Sequence, residues 1–164
     1  MIEGILTTEK AVISTPIGII EIIAEKGLIT ELHFADRTLT EIIPDSLSDA
    51  SNQIKRYFKG ELKTFSFPVN LKGTDFQKSV WNLLMAIPYG STTSYGEIAG
   101  KLGIKNGARA VGLANSSNPV PIIVPCHRVI GQDGKLTGYR GGLWRKEWLL
   151  KMELPEINVG LFVG

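Results

Sequence analysis

The run Pro125-Cys126-His127-Arg128-Val129 sets the chain's one cysteine beside one of its two histidines and an arginine. A lone cysteine is ordinarily a small buried hydrophobe. Basic neighbours change that reading, because they lower a thiol's pKa and favour the nucleophilic thiolate. The chemistry expected is attack by the Cys126 sulfur with His127 as its base. Adjacent side chains in an extended strand point to opposite faces, so the two can cooperate only across a kink or through a bridging water. A carboxylate should orient the imidazole, as in other nucleophile–base pairs. Glu153, Glu147 and Glu97 are the candidates, and spacing alone does not choose among them.

Two further residues stand out. Arg109 lies among small residues, Ala108, Ala110, Gly112 and Ala114. It is either a solvated arginine on a tightly packed helix or a side chain that reaches into nucleic acid while its small neighbours permit close approach. Tyr95, at a helix N-terminus, is either a core-edge aromatic or a phenolic proton donor and phosphate contact. Other signatures fail. Gly96-Glu97-Ile98-Ala99-Gly100-Lys101 has three rather than four residues between its glycines, and Leu102 follows the lysine, so it is not a phosphate loop. There is no Gly-x-Ser-x-Gly, Gly-x-Gly-x-x-Gly or His-Glu-x-x-His, and zinc-ligand spacing is missing. No metal and no cofactor are expected.

The elements that must position these residues fall into two halves. Residues near 11–15, 17–24 and 28–34 are rich in Ile, Val and Thr, with a turn at Glu25-Lys26-Gly27, which predicts an antiparallel meander. From Asp45 the period becomes helical, through Leu47, Ala50, Ile54, Tyr57 and Phe58, with Asp45 or Ser48 as cap and Gly60 as stop. Residues 61–73 return to an extended pattern, and the domain boundary is placed at 72/73. In the second half, Thr74-Asp75-Phe76-Gln77 has capping-box spacing and opens a helix that Pro88 closes. Ser94-Tyr95-Gly96-Glu97 repeats that spacing ahead of a helix to about Leu102. A turn at 103–107 with Asn106 near the next cap leads to a helix over 108–115, together a helix-turn-helix. A last helix over 143–153 would carry Trp144, Trp148, Leu149 and Met152 on one side, with Glu147 and Lys151 paired outside. The fold class is α+β, with residues 1–72 a sheet-and-helix domain and 73–164 a helical domain.

Composition fits this. At 164 residues, 43% hydrophobic and 21% charged, the chain can bury a core, which excludes disorder and a collagen-like repeat. Its apolar stretches, such as residues 17–24, are interrupted by Gly18 and Glu21 and are far shorter than a membrane span requires. The first residues lack a signal-peptide pattern, and one cysteine forms no intramolecular disulfide, so a reducing cytoplasm is expected. Residues 1–72 carry 8 basic and 10 acidic residues, residues 73–164 carry 10 and 6. The second half is the better anion binder.

Taken together, Arg109-Ala110-Val111-Gly112-x-Ala114, Asn118-Pro119, Pro125-Cys126-His127-Arg128-Val129, Gly138-Tyr139-x-Gly141-Gly142 and Lys146-Glu147-Trp148-Leu149-Leu150-x-x-Glu153 closely resemble the O6-alkylguanine-DNA alkyltransferases, also called methylated-DNA–protein-cysteine methyltransferases. The resemblance covers about residues 74–153, while residues 1–72 match only in general character the ribonuclease-H-like domain of that family. It implies a winged-helix-like second domain, and direct-reversal repair of O6-alkylguanine, and of O4-alkylthymine, in double-stranded DNA by a monomer. Cys126 would accept the alkyl group once and irreversibly, with His127 acting through a water and Glu153 orienting it. Asn118 would hold the active-site turn. Tyr95 would protonate the departing guanine and help rotate its phosphate, and Arg109 would fill the gap left by a flipped base. Ala110 and Gly112 would lie in the minor groove with Arg128 as a further DNA contact, and Val129, Tyr139, Arg140 and Gly141 would line the base pocket. Two departures are visible. Residues 1–72 contain no cysteine, so the zinc site of some members is not expected. Arg140 stands where other members carry a small residue, which bears on pocket width. The rival readings are a non-reacting binder of alkylated bases, a helix-turn-helix regulator and a thiol hydrolase. Cys126 argues against the first, and the helix-turn-helix and charge pattern against the last.

Overall fold

The computed structural model describes residues 7–156, so the apolar run 159–163 lies outside the described residues. The chain divides between Lys72 and Gly73 into two compact units. In the first, β1 (Thr8–Thr15), β2 (Gly18–Glu25) and β3 (Leu28–Phe34) form an antiparallel sheet in the order β1-β2-β3. Alternation sets its buried face: Ile20, Ile22 and Ala24 of β2 are buried while their neighbours are partly exposed, the period of two of a sheet covered on one side. Lys26 and Gly27 join β2 to β3 with φ of 52° and 80°, the two positive values that a type I′ hairpin requires. Both sheet edges are capped. Val12 of β1 exchanges backbone hydrogen bonds with Ile42 (2.8 and 3.1 Å), and Ile29 of β3 bonds to Pro68 and Asn70 (3.1 and 2.8 Å), which blocks edge-to-edge association.

Helix α1 (Ser48–Phe58) buries Ala50, Ile54, Tyr57 and Phe58. Neither expected cap is made. A 3-10 turn at Asp45–Leu47 runs directly into the helix, so its N-cap is Leu47, without a side-chain bond. The chain enters already coiled, and Ser48 is the first helical residue.

In the second unit, α2 (Asp75–Met85) starts with the complete Thr74/Gln77 capping box, with bonds of 2.9 and 3.1 Å. Helices α3 (Tyr95–Lys101) and α4 (Ala108–Ser116) make the helix-turn-helix. Ser94 caps α3 through the Glu97 N–H, but the Glu97 carboxylate accepts from the Thr93 hydroxyl at 2.8 Å, so this second box closes on one side only. The N-cap of α4 is Gly107, directly after Asn106, which is left-handed at φ 56°. A Cβ on Gly107 would stand 2.5 Å from the Ile104 side chain, so any other residue there would force Ile104 to shift. Trp81 of α2 donates its indole N–H to the Ala114 carbonyl of α4 at 2.8 Å. Two short strands, β4 (Thr93–Ser94) and β5 (Val129–Ile130), pair in parallel and bring the start of α3 beside the cysteine segment.

The last helix, α5 (Leu143–Glu153), has a different buried face from the one expected. Lys146, Leu149, Leu150 and Glu153 are buried, whereas Trp144 is 54% exposed beneath the Arg145 guanidinium. Two ionisable side chains occupy the helix's inner stripe because each has partners there. Among the described residues no helix is long and apolar enough to cross a membrane.

Candidate active site

The segment after α4 makes the kink that cooperation between Cys126 and His127 demands. Pro125 has φ −79° and ψ 65°, an inverse γ-turn, and the Cys126 N–H donates to the Val124 carbonyl at 2.7 Å. Cys126–Arg128 then form one 3-10 turn. Upstream, Ile122 sits at φ 76°, a left-handed conformation that costs a β-branched residue about 1–3 kcal/mol. The side chain of Asn118 holds this backbone, accepting from Val120 N–H at 3.0 Å and donating to the Val124 carbonyl at 2.8 Å. Asn115 donates to the Cys126 carbonyl at 3.4 Å. The cysteine turn is thus fastened to the end of the helix-turn-helix.

Behind Cys126, three side chains form one buried polar group. His127 is fully buried, and its Nε2 lies 2.7 Å from Glu153 Oε2. Arg128 donates from Nε to Glu153 Oε1 at 2.7 Å and from Nη2 to Oε2 at 3.0 Å, and from Nη1 to the Ile87 carbonyl at 2.7 Å. Burial by itself raises the Glu153 pKa, but the hydrogen bonds and charges of His127 and Arg128 outweigh it and hold it at about 2. An ionised carboxylate only accepts hydrogen bonds, so Nε2 carries the imidazole proton and Nδ1 carries the basic lone pair. Nδ1 is buried without a partner among the described residues. Desolvation lowers the His127 pKa in spite of Glu153, which keeps the ring neutral at neutral pH. The carboxylate left open by spacing is therefore Glu153. Glu147 pairs with Lys151 at 3.1 Å, and Glu97 with Thr93.

Cys126 lies at a cavity of about 520 Å³. From α3 and α4 its lining takes Tyr95, Arg109, Gly112, Leu113, Asn115 and Ser116, and from the loop before α5 it takes Thr137, Gly138, Tyr139 and Arg140. The thiol departs from expectation. Burial pushes its pKa up, and Asn118, Lys146 and Arg140 pull it down without cancelling that effect. Cys126 rests as a thiol and needs a base to react. Tyr95 donates its hydroxyl to the Thr137 carbonyl at 2.9 Å and accepts from the Thr137 hydroxyl at 3.2 Å, and burial raises its pKa.

Several residues expected in the site lie elsewhere. Arg128 is no surface contact, because all three of its bonds are spent on Glu153 and Ile87 and it is 7% exposed. Val129 is fully buried in the β4–β5 pairing, and Gly141 is buried with its carbonyl accepting from Arg145 at 2.7 Å, so neither lines the cavity. The expectation for Ala110 is a groove contact and not the pocket; it is exposed on α4 outside the cavity lining, which follows Arg109, Gly112, Leu113 and Ser116 at helical spacing. The residue that sequence reasoning missed is Lys146. It is fully buried and donates to the Thr137 and Gly138 carbonyls, both at 3.2 Å, with its ammonium 5.9 Å from the centre of the Tyr95 ring. Burial lowers its pKa to about 8. A lysine on a helix gives no local signal of such a role.

Known proteins resemble this chain in sequence and fold. Residues 9–71 match the family model for the 6-O-methylguanine DNA methyltransferase ribonuclease-like domain, and residues 75–154 the model for its DNA-binding domain. A methylated-DNA–protein-cysteine methyltransferase of Mycobacterium tuberculosis is 50% identical over 147 residues, 86% of this chain and 89% of that protein. One from Methanosarcina acetivorans is 49% identical over 150 residues, 87% and 96% of the two chains. The crystal structure of the M. tuberculosis O6-methylguanine methyltransferase superposes with a TM-score of 0.83 at 45% identity, covering 93% of this chain and 96% of that one. The M. tuberculosis protein in complex with DNA gives a TM-score of 0.79 at 50% identity, covering 87% and 90%. The α+β fold, the two matching domain models and these relatives place the chain in the 6-O-methylguanine DNA methyltransferase family.

Proposed function

We propose that this protein repairs alkylated DNA by moving the alkyl group of O6-alkylguanine, and of O4-alkylthymine, onto its own Cys126. The observation that carries the reading is a buried thiol at an apolar cavity, backed by a neutral imidazole whose proton-bearing nitrogen is fixed on Glu153. In the duplex the O6 substituent lies inside the stack, so the nucleotide is turned out through the minor groove, at about a few kcal/mol. Arg109, exposed on α4 at the cavity, fills the vacated place. The thiol proton passes through a water to His127 Nδ1, and Cys126 Sγ attacks the alkyl carbon in line. The S–C bond forms as the C–O6 bond breaks. Tyr95, a neutral phenol, gives a proton to the departing guanine and regains one from solvent, so the products are an S-alkyl cysteine and an unmodified base. Because the thioether is stable, each monomer acts once.

Intact-protein mass tests this. Incubated with duplex DNA bearing one O6-methylguanine, the protein should gain one methyl group, with repair stopping at one lesion per protein molecule. Unchanged mass together with lesion-selective binding would overturn the reading in favour of a non-reacting binder.

Lys146 holds the loop that carries Thr137 to Arg140 against the Tyr95 side of the cavity. Lys146→Met keeps the chain length and loses both carbonyl bonds, so transfer should slow by about tenfold, the scale of one or two such bonds. Stability should move the other way. A lysine whose folded pKa is about 8 against the usual 10.5 burdens the folded state at all pH below 8, and the burden lifts as pH rises towards 10.5. The variant should therefore melt no lower than wild type at pH 7 and should lose the wild type's gain in melting temperature above pH 8. A variant that melts lower in proportion to its lost activity would show that Lys146 is merely structural.

A further inference from the structure

We propose that Arg140 grips a backbone phosphate of the strand that carries the modified base, which makes the loop before α5 a second DNA-binding element beside α4. The inference rests on the alkyl-transfer reading above. Two charged side chains line the cavity, Arg109 and Arg140, and no carboxylate lines it. Both are exposed and make no hydrogen bond or ion pair among the described residues. The other cations near this loop are engaged: Lys146 on the Thr137 and Gly138 carbonyls, Arg145 on the Gly141 carbonyl and the Trp144 ring, Arg128 on Glu153. The loop is itself fixed, by Lys146 and by the Gly142 N–H on the Tyr139 carbonyl at 2.8 Å. Arg140 is therefore a solvated guanidinium on a rigid support at the cavity that holds the nucleophile. The remaining lining is neutral, Leu113, Pro121 and Tyr139 among it, and suits a base. A base that enters while joined to its strand brings a phosphodiester on each side, and a planar guanidinium fork matches a phosphate in two-point contact. Arg140 thus selects nucleotides in a strand over free bases, instead of only narrowing the pocket.

The test is the salt dependence of binding to a duplex with one O6-methylguanine, measured in a Cys126→Ser background so that no reaction intervenes. One phosphate contact contributes a slope of about 0.9 in log affinity against log salt. Between about 50 and 200 mM salt, affinity should fall about threefold less for Arg140→Gln than for the parent, and Arg140→Lys should restore the parental slope. In the reactive protein, Arg140→Gln should slow transfer from the duplex more than transfer from free O6-methylguanine. An Arg140→Gln slope equal to the parental one, or equal slowing on both substrates, would overturn the proposal and leave Arg140 as a pocket wall. A shifted slope in a protein that takes up no methyl group would keep the phosphate contact and remove the transfer reading.

Discussion

Cys126→Ser should take up no methyl group from O6-methylguanine DNA, while folding normally and still binding the lesion. The exchange replaces one atom in a side chain that is 5% exposed, and the thiol's hydrogen bond with the Asn118 side chain is one that a hydroxyl can also make. Asn118 holds Val120 and Val124, and Asn115 holds the Cys126 carbonyl, all through backbone groups that serine retains. The melting temperature should fall by no more than about 5 °C, the scale of a 1 kcal/mol change. Reactivity is different. Burial already raises the thiol pKa, and a neutral imidazole can still remove that proton because thiols start near 8.5. A hydroxyl is a far weaker acid and a poorer nucleophile towards saturated carbon, so the same base cannot activate it. Intact-protein mass and a lesion-binding titration read the two halves separately. Methyl uptake by the serine variant would place the acceptor elsewhere in the chain.

The parts of this molecule that local rules govern were readable before its structure. Richness in Ile and Val with the turn at Glu25-Lys26-Gly27 gave β2 and β3, the Thr74/Gln77 box gave the start of α2, and the glycine-containing turn gave the pair α3 and α4, since each depends on residues within a few positions. What failed depends on distant partners. Trp144 and Met152 were expected on the side of α5 with Leu149, yet Lys146 and Glu153 lie there, because their partners at 127–128 and 137–138 exist only in the folded unit. Arg128 was read as a surface cation for the same reason. The thiol's expected shift had the wrong sign because adjacency in sequence reports charge but not desolvation, and desolvation is the larger effect at Cys126.

Glu153→Gln should be the most damaging change that leaves every reacting atom in place. In the wild type one carboxylate serves two cations or proton donors, and Arg128 has no other anionic partner among its bonds. Making position 153 neutral strands a buried guanidinium, which costs about 3–5 kcal/mol when a buried pair is broken from one side. It also removes the charge that stabilises imidazolium as His127 accepts the thiol proton, so transfer should fall by about a hundredfold or more. These losses have different origins and can be separated. Adding Arg128→Met to Glu153→Gln removes the stranded cation, so the double variant should regain much of the stability and none of the rate. Recovery of both together would mean that Glu153 acts only through folding. Acid gives an independent check. The folded Glu153 pKa of about 2 lies below its ordinary 4.5, so its contribution to stability is complete above pH 4.5 and drains as pH falls towards 2. His127, with its folded pKa below the ordinary 6.5, begins to draw stability away once pH falls below that value, because the unfolded ring takes up the proton first. Wild type should lose melting temperature in two overlapping steps, from about pH 6.5 and again below about pH 4.5. Glu153→Gln should lose most of the second step, keeping only what exposed Glu41 contributes beside Lys55.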